Sequence, residues 1–291
     1  VDPAAAAVVA TEGRAPVTAG DVEVLVVGVG LAGASAARVL ADAGRRVLAI
    51  DKGRGPGGRL STRRSDAGTF DHGAVALQAA GEAFRRWLEA EALAGRAARW
   101  RDGWVGLPGM NALVAGLLDG IDVRWATNVA SLERAADAWQ ALDAEGRMIA
   151  GAPQCVVAIP APQARDVLRA GNARDPARSA NPAQATPIEA LSVALAHIRY
   201  EPCWSVLLDV DPSARREASP PANALASPAD LDAIVHEAEK PGRAAGGRVV
   251  VQASAAWSVE NLERSADDVG IAVRRAFVEA TGLADDDVRS A

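Results

Sequence analysis

The stretch "VEVLVVGVGLAGASAARVLADAGRRVLAID", residues 22–51, decides the fold. Its first part, "VEVLVVG", is a short unbroken apolar run ending in glycine, the pattern of a parallel strand buried on both faces. "LAGASAARVLADAGRR" follows with helical period and places Ala32, Ala36, Val39, Leu40 and Ala43 on one face. Gly44 stands at the C′ position with bases just beyond it. "VLAID" then reads as a second buried strand, which completes a β-α-β unit of about 30 residues.

Gly28, Gly30 and Gly33 give G-x-G-x-x-G spacing at the strand-to-helix turn. Glycine is common enough here, 27 of 291 residues, that the string alone carries little; its place between a buried strand and a helix carries more. Gly28 permits the turn, Gly30 lets the backbone approach a pyrophosphate, and Gly33 lets helix and strand pack closely. The helix N-terminus offers N–H groups and a positive dipole end to phosphates. Asp51 ends the second strand and would accept from a ribose hydroxyl.

Directly after Asp51 comes "KGRGPGGRLSTRR", in which Lys52, Arg54, Arg59, Arg63 and Arg64 are threaded on Gly53, Gly55, Gly57 and Gly58 in a chain whose net charge is −6. A nicotinamide dehydrogenase uses one glycine loop before its next helix. Two backbone-approach loops with fixed guanidinium groups suit a pyrophosphate held from two sides, as in FAD. The alternatives are a solvated basic loop, or Arg63 and Arg64 serving as a contact for the 2′-phosphate of NADP.

The totals bound the rest. A chain of 291 residues, 49% hydrophobic, can bury a sizeable core in one large or two modest domains. A pI near 5.2 argues against a nucleic-acid or anionic-membrane partner, since both need a broad basic face. No apolar run approaches the ~20 residues of a spanning helix. Cys155 ("QCVVAIP") and Cys203 ("PCWSVLL") read as buried thiols of a reducing, cytoplasmic setting, with a bridge between them as the alternative. No Cys/His spacing resembles a metal site.

Further along, "EAFRRWLEAEALAG" is helical with Phe84, Trp87, Leu88 and Leu93 as its stripe, and "GLPGMNALVAGLLDG" gives a short helix ended by Gly120. "DVRWATNVASLERAADAWQALDAEGRMIAG" reads as antiparallel strands with a glycine turn, and "QCVVAIP" as a buried strand halted by Pro160. "NARDPARSANPAQATP" is a loop or linker. "CWSVLLDV" and "RVVVQAS" are strands flanking a polar stretch, 211–247, and "SADDVGIAVRRAFVEATG" is an amphipathic helix. Residues 1–20 read as a disordered tail. The first residue is not methionine, and the last, "DDDVRSA", shows no helix cap or terminal element, so the chain reads as a fragment at one or both ends.

"VVGVGLAGASAARVLADAGRRVLAIDKGRGPGGRLSTRR" followed by "TFDHGA" resembles the bacterial renalase-like flavoproteins of the FAD-dependent amine oxidase superfamily. "GLPGMNALVAGL", "VASLER", "VVAIPAPQA", "EKPGR" and "VQASAAWS" extend the likeness over roughly residues 21–282. The resemblance implies an α/β fold: a Rossmann-type FAD-binding domain with an inserted strand-rich (α+β) substrate domain. The FAD domain would take 21–74, 105–165 and 265–291, and the substrate domain 75–104 and 166–264. It implies that Gly28, Gly30, Ala32 and Gly33 cradle the FAD pyrophosphate, Asp51 holds the ribose, and Gly58 and Arg59 cover the phosphates. Gly73 and Ala74 would lie against the flavin, and Val129 would bind the adenine through its backbone. The implied activity is hydride transfer from a dihydronicotinamide-like small molecule to flavin, with reoxidation by oxygen. An amine oxidase or desaturase of the same superfamily, and a non-catalytic dinucleotide-binding module, are the alternatives.

Two departures stand out. After "FDHGA" the family continues with Gln and aromatic residues where this chain has "VALQAA", and the family ends with a strand and a Gly-Asp turn into a helix before which this chain stops. No nucleophile–base pair is evident, in keeping with a cofactor that carries the redox step. His72 reads either as a group acting near the flavin or as a helix-entry histidine, and His197 and His236 as structural or surface residues. Trp204 and Trp257 either line a pocket for a flat ring or pack in the core.

Overall fold

The computed structural model describes residues 21–135, 137–172, 187–214 and 230–291. The expected tail over 1–20 and most of the expected linker lie outside the described residues. The chain forms two compact units, Val1–Gly58 with Val114–Arg199, and Arg59–Leu113 with Tyr200–Ala291. This division differs from the expected one: 59–74, 105–113 and 265–291 belong with the second unit, and 166–199 with the first.

In the first unit the apolar runs pair as a parallel sheet, in the order Gln154–Val157, Val24–Val27, Val47–Ile50, Asp122–Arg124. Val24 faces Val47 on one side and Gln154 on the other. Period-two alternation sends Leu25, Val27, Leu48 and Ile50 into one core together with Leu132, Ala141, Ala150 and Ala152 of an antiparallel three-stranded sheet. That sheet consists of Ser131–Ala135, Ala138–Leu142 and Met148–Ala152, and its last connection turns at Gly146 with φ +78°. "DVR" is a correction to the sequence reading: it joins the parallel sheet, where Ile50 pairs with Arg124.

The helix Leu31–Asp42 buries Gly33, Ala34 and Ala37, not the expected stripe, and Val39 is 69% exposed. Close approach to the sheet selects the small face over the larger apolar one. Its end follows the expectation: Gly44 has φ +76° and donates its N–H to Ala41 O, while Arg45 N–H reaches Leu40 O, a Schellman closure.

The second unit is built on an antiparallel sheet in the order Leu231–His236, Arg248–Ala253, Ser205–Val210, Val288–Ser290. The helix Ala266–Thr281 lays Val269, Val273 and Phe277 into its core. Two hairpins, Arg63–Ser65 with Gly68–Phe70 and Ala97–Trp100 with Gly103–Gly106, complete it with the helices Glu82–Leu93 and Ala255–Glu260.

Several expectations are corrected here. The polar stretch 211–247 contains a strand, Leu231–His236. The terminal "DDDVRSA" supplies an edge strand whose only buried residue is Val288. In Glu82–Leu93 the expected stripe residue Leu88 is buried, but Leu93 is 93% exposed and the other buried position is Glu91, whose carboxylate is held by the Arg96 guanidinium (Nη2 to Oε1 3.0 Å). Trp204 and Trp257 pack against the sheet core, the second of the two alternatives open for them. Both cysteines are free, but Cys203 is exposed because it precedes its strand, whereas Cys155 lies within one. Among the described residues no helix is long and apolar enough to cross a membrane.

Candidate dinucleotide site

In the first unit, the glycine turn is shaped by contacts that leave no room for side chains. Gly28 has φ +94°, and a Cβ there would stand 2.6 Å from Ile159 Cγ2 and 2.8 Å from Ala158 O. At Gly33 a Cβ would stand 1.8 Å from Gly28 O, so the helix can seat itself on the strand end only through glycine. Gly30 differs. It caps the helix in extended conformation, with no side-chain cap and no acid in the first turn, which leaves the helix's positive end for an external anion. Ala32 lies exposed on that first turn.

Asp51 ties the turn to the end of the second strand. Its Oδ2 accepts the Val29 N–H and its Oδ1 the Gly53 N–H, each at 2.6 Å. A carboxylate oxygen accepts more than one hydrogen bond, so Asp51 is oriented by its own chain and retains capacity for a hydroxyl. The second glycine loop returns to the first: Gly57 bridges to Gly30, and a Cβ on Gly58, which has φ +55°, would lie 3.0 Å from Gly30 Cα. Thus Gly28, Gly30, Gly33, Asp51 and Gly58 assemble at one corner of the first unit. Val129 is buried in that unit's core.

In the second unit, Arg59, Gly73 and Ala74 also meet. Ala74 N–H donates to Arg59 O at 2.8 Å, and a Cβ at Gly73 would lie 2.2 Å from the same oxygen. Gln252 Nε2 donates to Gly73 O at 2.9 Å. The Arg59 guanidinium is exposed and lies over the Tyr200 ring, 5.8 Å from its centroid.

Immediately before this turn, Asp71 is fully buried. It receives Lys240 Nζ at 3.0 Å and Arg243 Nη2 at 2.6 Å on Oδ2, and Thr62 Oγ1 at 2.7 Å and Met110 N–H at 2.9 Å on Oδ1. Burial pushes its carboxyl upward, but Lys240, Arg243 and the Met110 N–H outweigh that and hold it below the usual carboxylate range. His72 is half-buried in the turn, not at a helix entry; burial and then Arg63 push its imidazole down, against the pull of Asp71. The sequence reading missed the partners Glu237, Lys240 and Arg243 as a site. Their signal was "EKPGR", which carries two of them one turn apart. Among the described residues no cluster of three or more His, Cys, Asp and Glu side chains could hold a metal.

A family model described as an NAD(P)-binding Rossmann-like domain matches residues 26–90. Among solved structures, the chain is similar to a protein from Exiguobacterium sp. 255-15 named as a protoporphyrinogen oxidase, with a TM-score of 0.66 at 12% identity over 96% of this chain and 86% of that one. It is similar to a putrescine oxidase redesigned in cofactor binding, at TM-score 0.60 and 12% identity over 92% and 82% of the two chains. The wild-type putrescine oxidase bound to putrescine gives 0.58 at 11% over the same shares. The glycine turn and parallel sheet of the first unit are therefore those of a Rossmann-like α/β chain with the fold of these oxidases.

Proposed function

We propose that the chain is a cytoplasmic FAD-dependent oxidoreductase of renalase type, which takes a hydride from a dihydronicotinamide-like substrate and passes the electrons to oxygen. The observation that carries the reading is the pairing of two glycine backbones, Gly30 and Gly58, beside an uncapped helix N-terminus and the oriented carboxylate of Asp51. The residues fit FAD: the two loops meet through bare backbone, since a Cβ on Gly58 would stand 3.0 Å from Gly30 Cα and one on Gly30 would face Gly58 Cα at 4.0 Å, which suits a close approach of a pyrophosphate to both. Gly28, Gly30, Ala32 and Gly33 would hold the phosphates, Asp51 the ribose, Gly58 and Arg59 the second side of the pyrophosphate, Val129 the adenine, and Gly73 and Ala74 the ring. A nicotinamide-only site is the poorer match because the segment after Asp51 runs through the second glycine loop and a hairpin, with no α-helix before Glu82–Leu93.

When bound, the flavin supplies the two-electron acceptor. The chain's part is to orient the donor and exclude water, and hydride loss from a dihydropyridine requires no general base. Amine oxidation is the second reading, favoured by the likeness to putrescine oxidase. A visible spectrum of the purified protein, before and after adding FAD, is the first test: flavin bands support the proposal, and a folded, colourless protein that ignores FAD overturns it. Anaerobic stopped-flow mixing then separates the donors. Rapid bleaching by dihydronicotinamide isomers is expected, bleaching by putrescine alone selects the amine reading, and tight binding without bleaching selects a non-catalytic module.

A further inference from the structure

The mechanism above makes no use of four buried ionisable groups in the second unit. The side chains of Asp71, Glu237, Lys240 and Arg243 are 0%, 1%, 0% and 3% exposed, and two acids face two bases. Lys240 Nζ bridges Asp71 Oδ2 and Glu237 Oε1 at 3.0 and 2.8 Å. Arg243 also spans both acids, with Nη2 2.6 Å from Asp71 and Nε 3.4 Å from Glu237, while its Nη1 donates to Gly106 O. A buried group of this kind adds little net stability over an apolar equivalent but fixes geometry closely and is costly to break on one side.

The geometry it fixes is that of one backbone position. Asp71 is held by its carboxylate through Lys240, Arg243, Thr62 and Met110, and by its main chain, since Asp71 N–H donates to Glu237 Oε1 at 3.1 Å. Two residues later Gly73 lies against Arg59 O with no space for a side chain, and Ala74 N–H closes on that same oxygen. Any displacement at Asp71 is therefore carried into a turn that has no slack.

We infer that Asp71, Glu237, Lys240 and Arg243 are positioning residues, which lock the backbone at Asp71 and so set where Gly73 and Ala74 stand for a bound flavin. The flavin half of this statement rests on the function proposed above; the locking of the turn does not. The test is the charge-balanced double variant Glu237→Gln with Lys240→Met in the full chain, with Asp71→Asn as a second variant that keeps its shape should the first not fold.

Two quantities are read: native-state hydrogen exchange at the Ala74 amide against Val250 in the sheet core, and FAD affinity with the visible spectrum of the bound flavin. Exchange at Ala74 is expected to quicken about tenfold with Val250 unchanged, and FAD to bind about tenfold more weakly with altered band shape. Unchanged exchange at Ala74 overturns the locking; faster exchange with unchanged affinity and spectrum overturns its bearing on the flavin. Should the unaltered protein take up no FAD, the function proposed above fails, and the exchange arm still decides the locking.

Discussion

A methyl group added at Gly33 would stand 1.8 Å from the carbonyl oxygen of Gly28, a backbone atom that cannot rotate away, whereas one added at Gly30 would meet only Gly58 Cα at 4.0 Å. The two glycines of one motif thus answer different demands: packing at Gly33, and at Gly30 the phosphate approach proposed above. Gly33→Ala is expected to destabilise by about 3 kcal/mol or more. Gly30→Ala should leave the melting temperature within about 2 °C of the parent and weaken FAD binding at least tenfold, or about 1.4 kcal/mol. Thermal melts and an FAD titration check both, and equal melting losses in the two variants would sink the distinction. The cysteines separate in a similar way. Burial pushes the Cys155 thiol up to about 12; Cys203 is exposed to a reagent, although partial burial and then Asp232 raise its thiol as well. A thiol titration at mildly alkaline pH should therefore count one cysteine in the native protein and two in denaturant. Their flanking residues look alike in sequence; what differs is that Cys155 is paired with Leu25 inside a parallel sheet, a long-range fact.

At the level of elements, legibility follows how local the determining forces are. The turn, both of its strands and the closure at Gly44 could be read because glycine conformation and apolar runs act over a few residues. The buried face of Leu31–Asp42 could not, because a hydrophobicity-weighted stripe favours Val39 and Leu40 over the alanines that the close helix–strand approach requires. The strands Asp122–Arg124 and Val288–Ser290 are three residues long and mostly polar, so only their partners identify them. Caps are the opposite case. Ser265 Oγ accepts the Asp268 N–H at 3.1 Å and donates to Asp268 Oδ2 at 2.8 Å, and two acids occupy the first turn of Ala266–Thr281. Ser265→Ala is expected to cost about 1 kcal/mol, or about 2–4 °C in melting temperature. Calorimetry showing no change would mean that the sheet packing of Val269, Val273 and Phe277 alone holds that helix end.

Across the whole molecule, the candidate site was half legible for a reason that also governs folding. The glycine loops and Asp51 lie within one short stretch, whereas Asp71 meets Glu237, Lys240 and Arg243 across separations of 166 to 172 residues. Each unit is likewise assembled from separated segments. Residues 1–113 contain every glycine of the two loops and the whole span matched by the Rossmann family model, so they resemble a self-sufficient binding domain. Yet the strand Val24–Val27 takes one of its two neighbours from Gln154–Val157, and Gly28 turns against Ala158 and Ile159. The core beneath Leu25 and Ile50 is completed by Val129, Leu132, Ala141, Ala150, Val167 and Leu168. A chain ending at residue 113 would leave Val24–Val27 as an open hydrophobic edge and that core uncovered, an aggregation-prone state rather than a domain. It is expected to show no cooperative melt, no dispersed amide spectrum and no FAD uptake, while the full chain shows all three. A folded, flavin-binding fragment of that length would mean that the second neighbour of the central strand is dispensable, and with it the interleaved assembly on which the glycine turn depends.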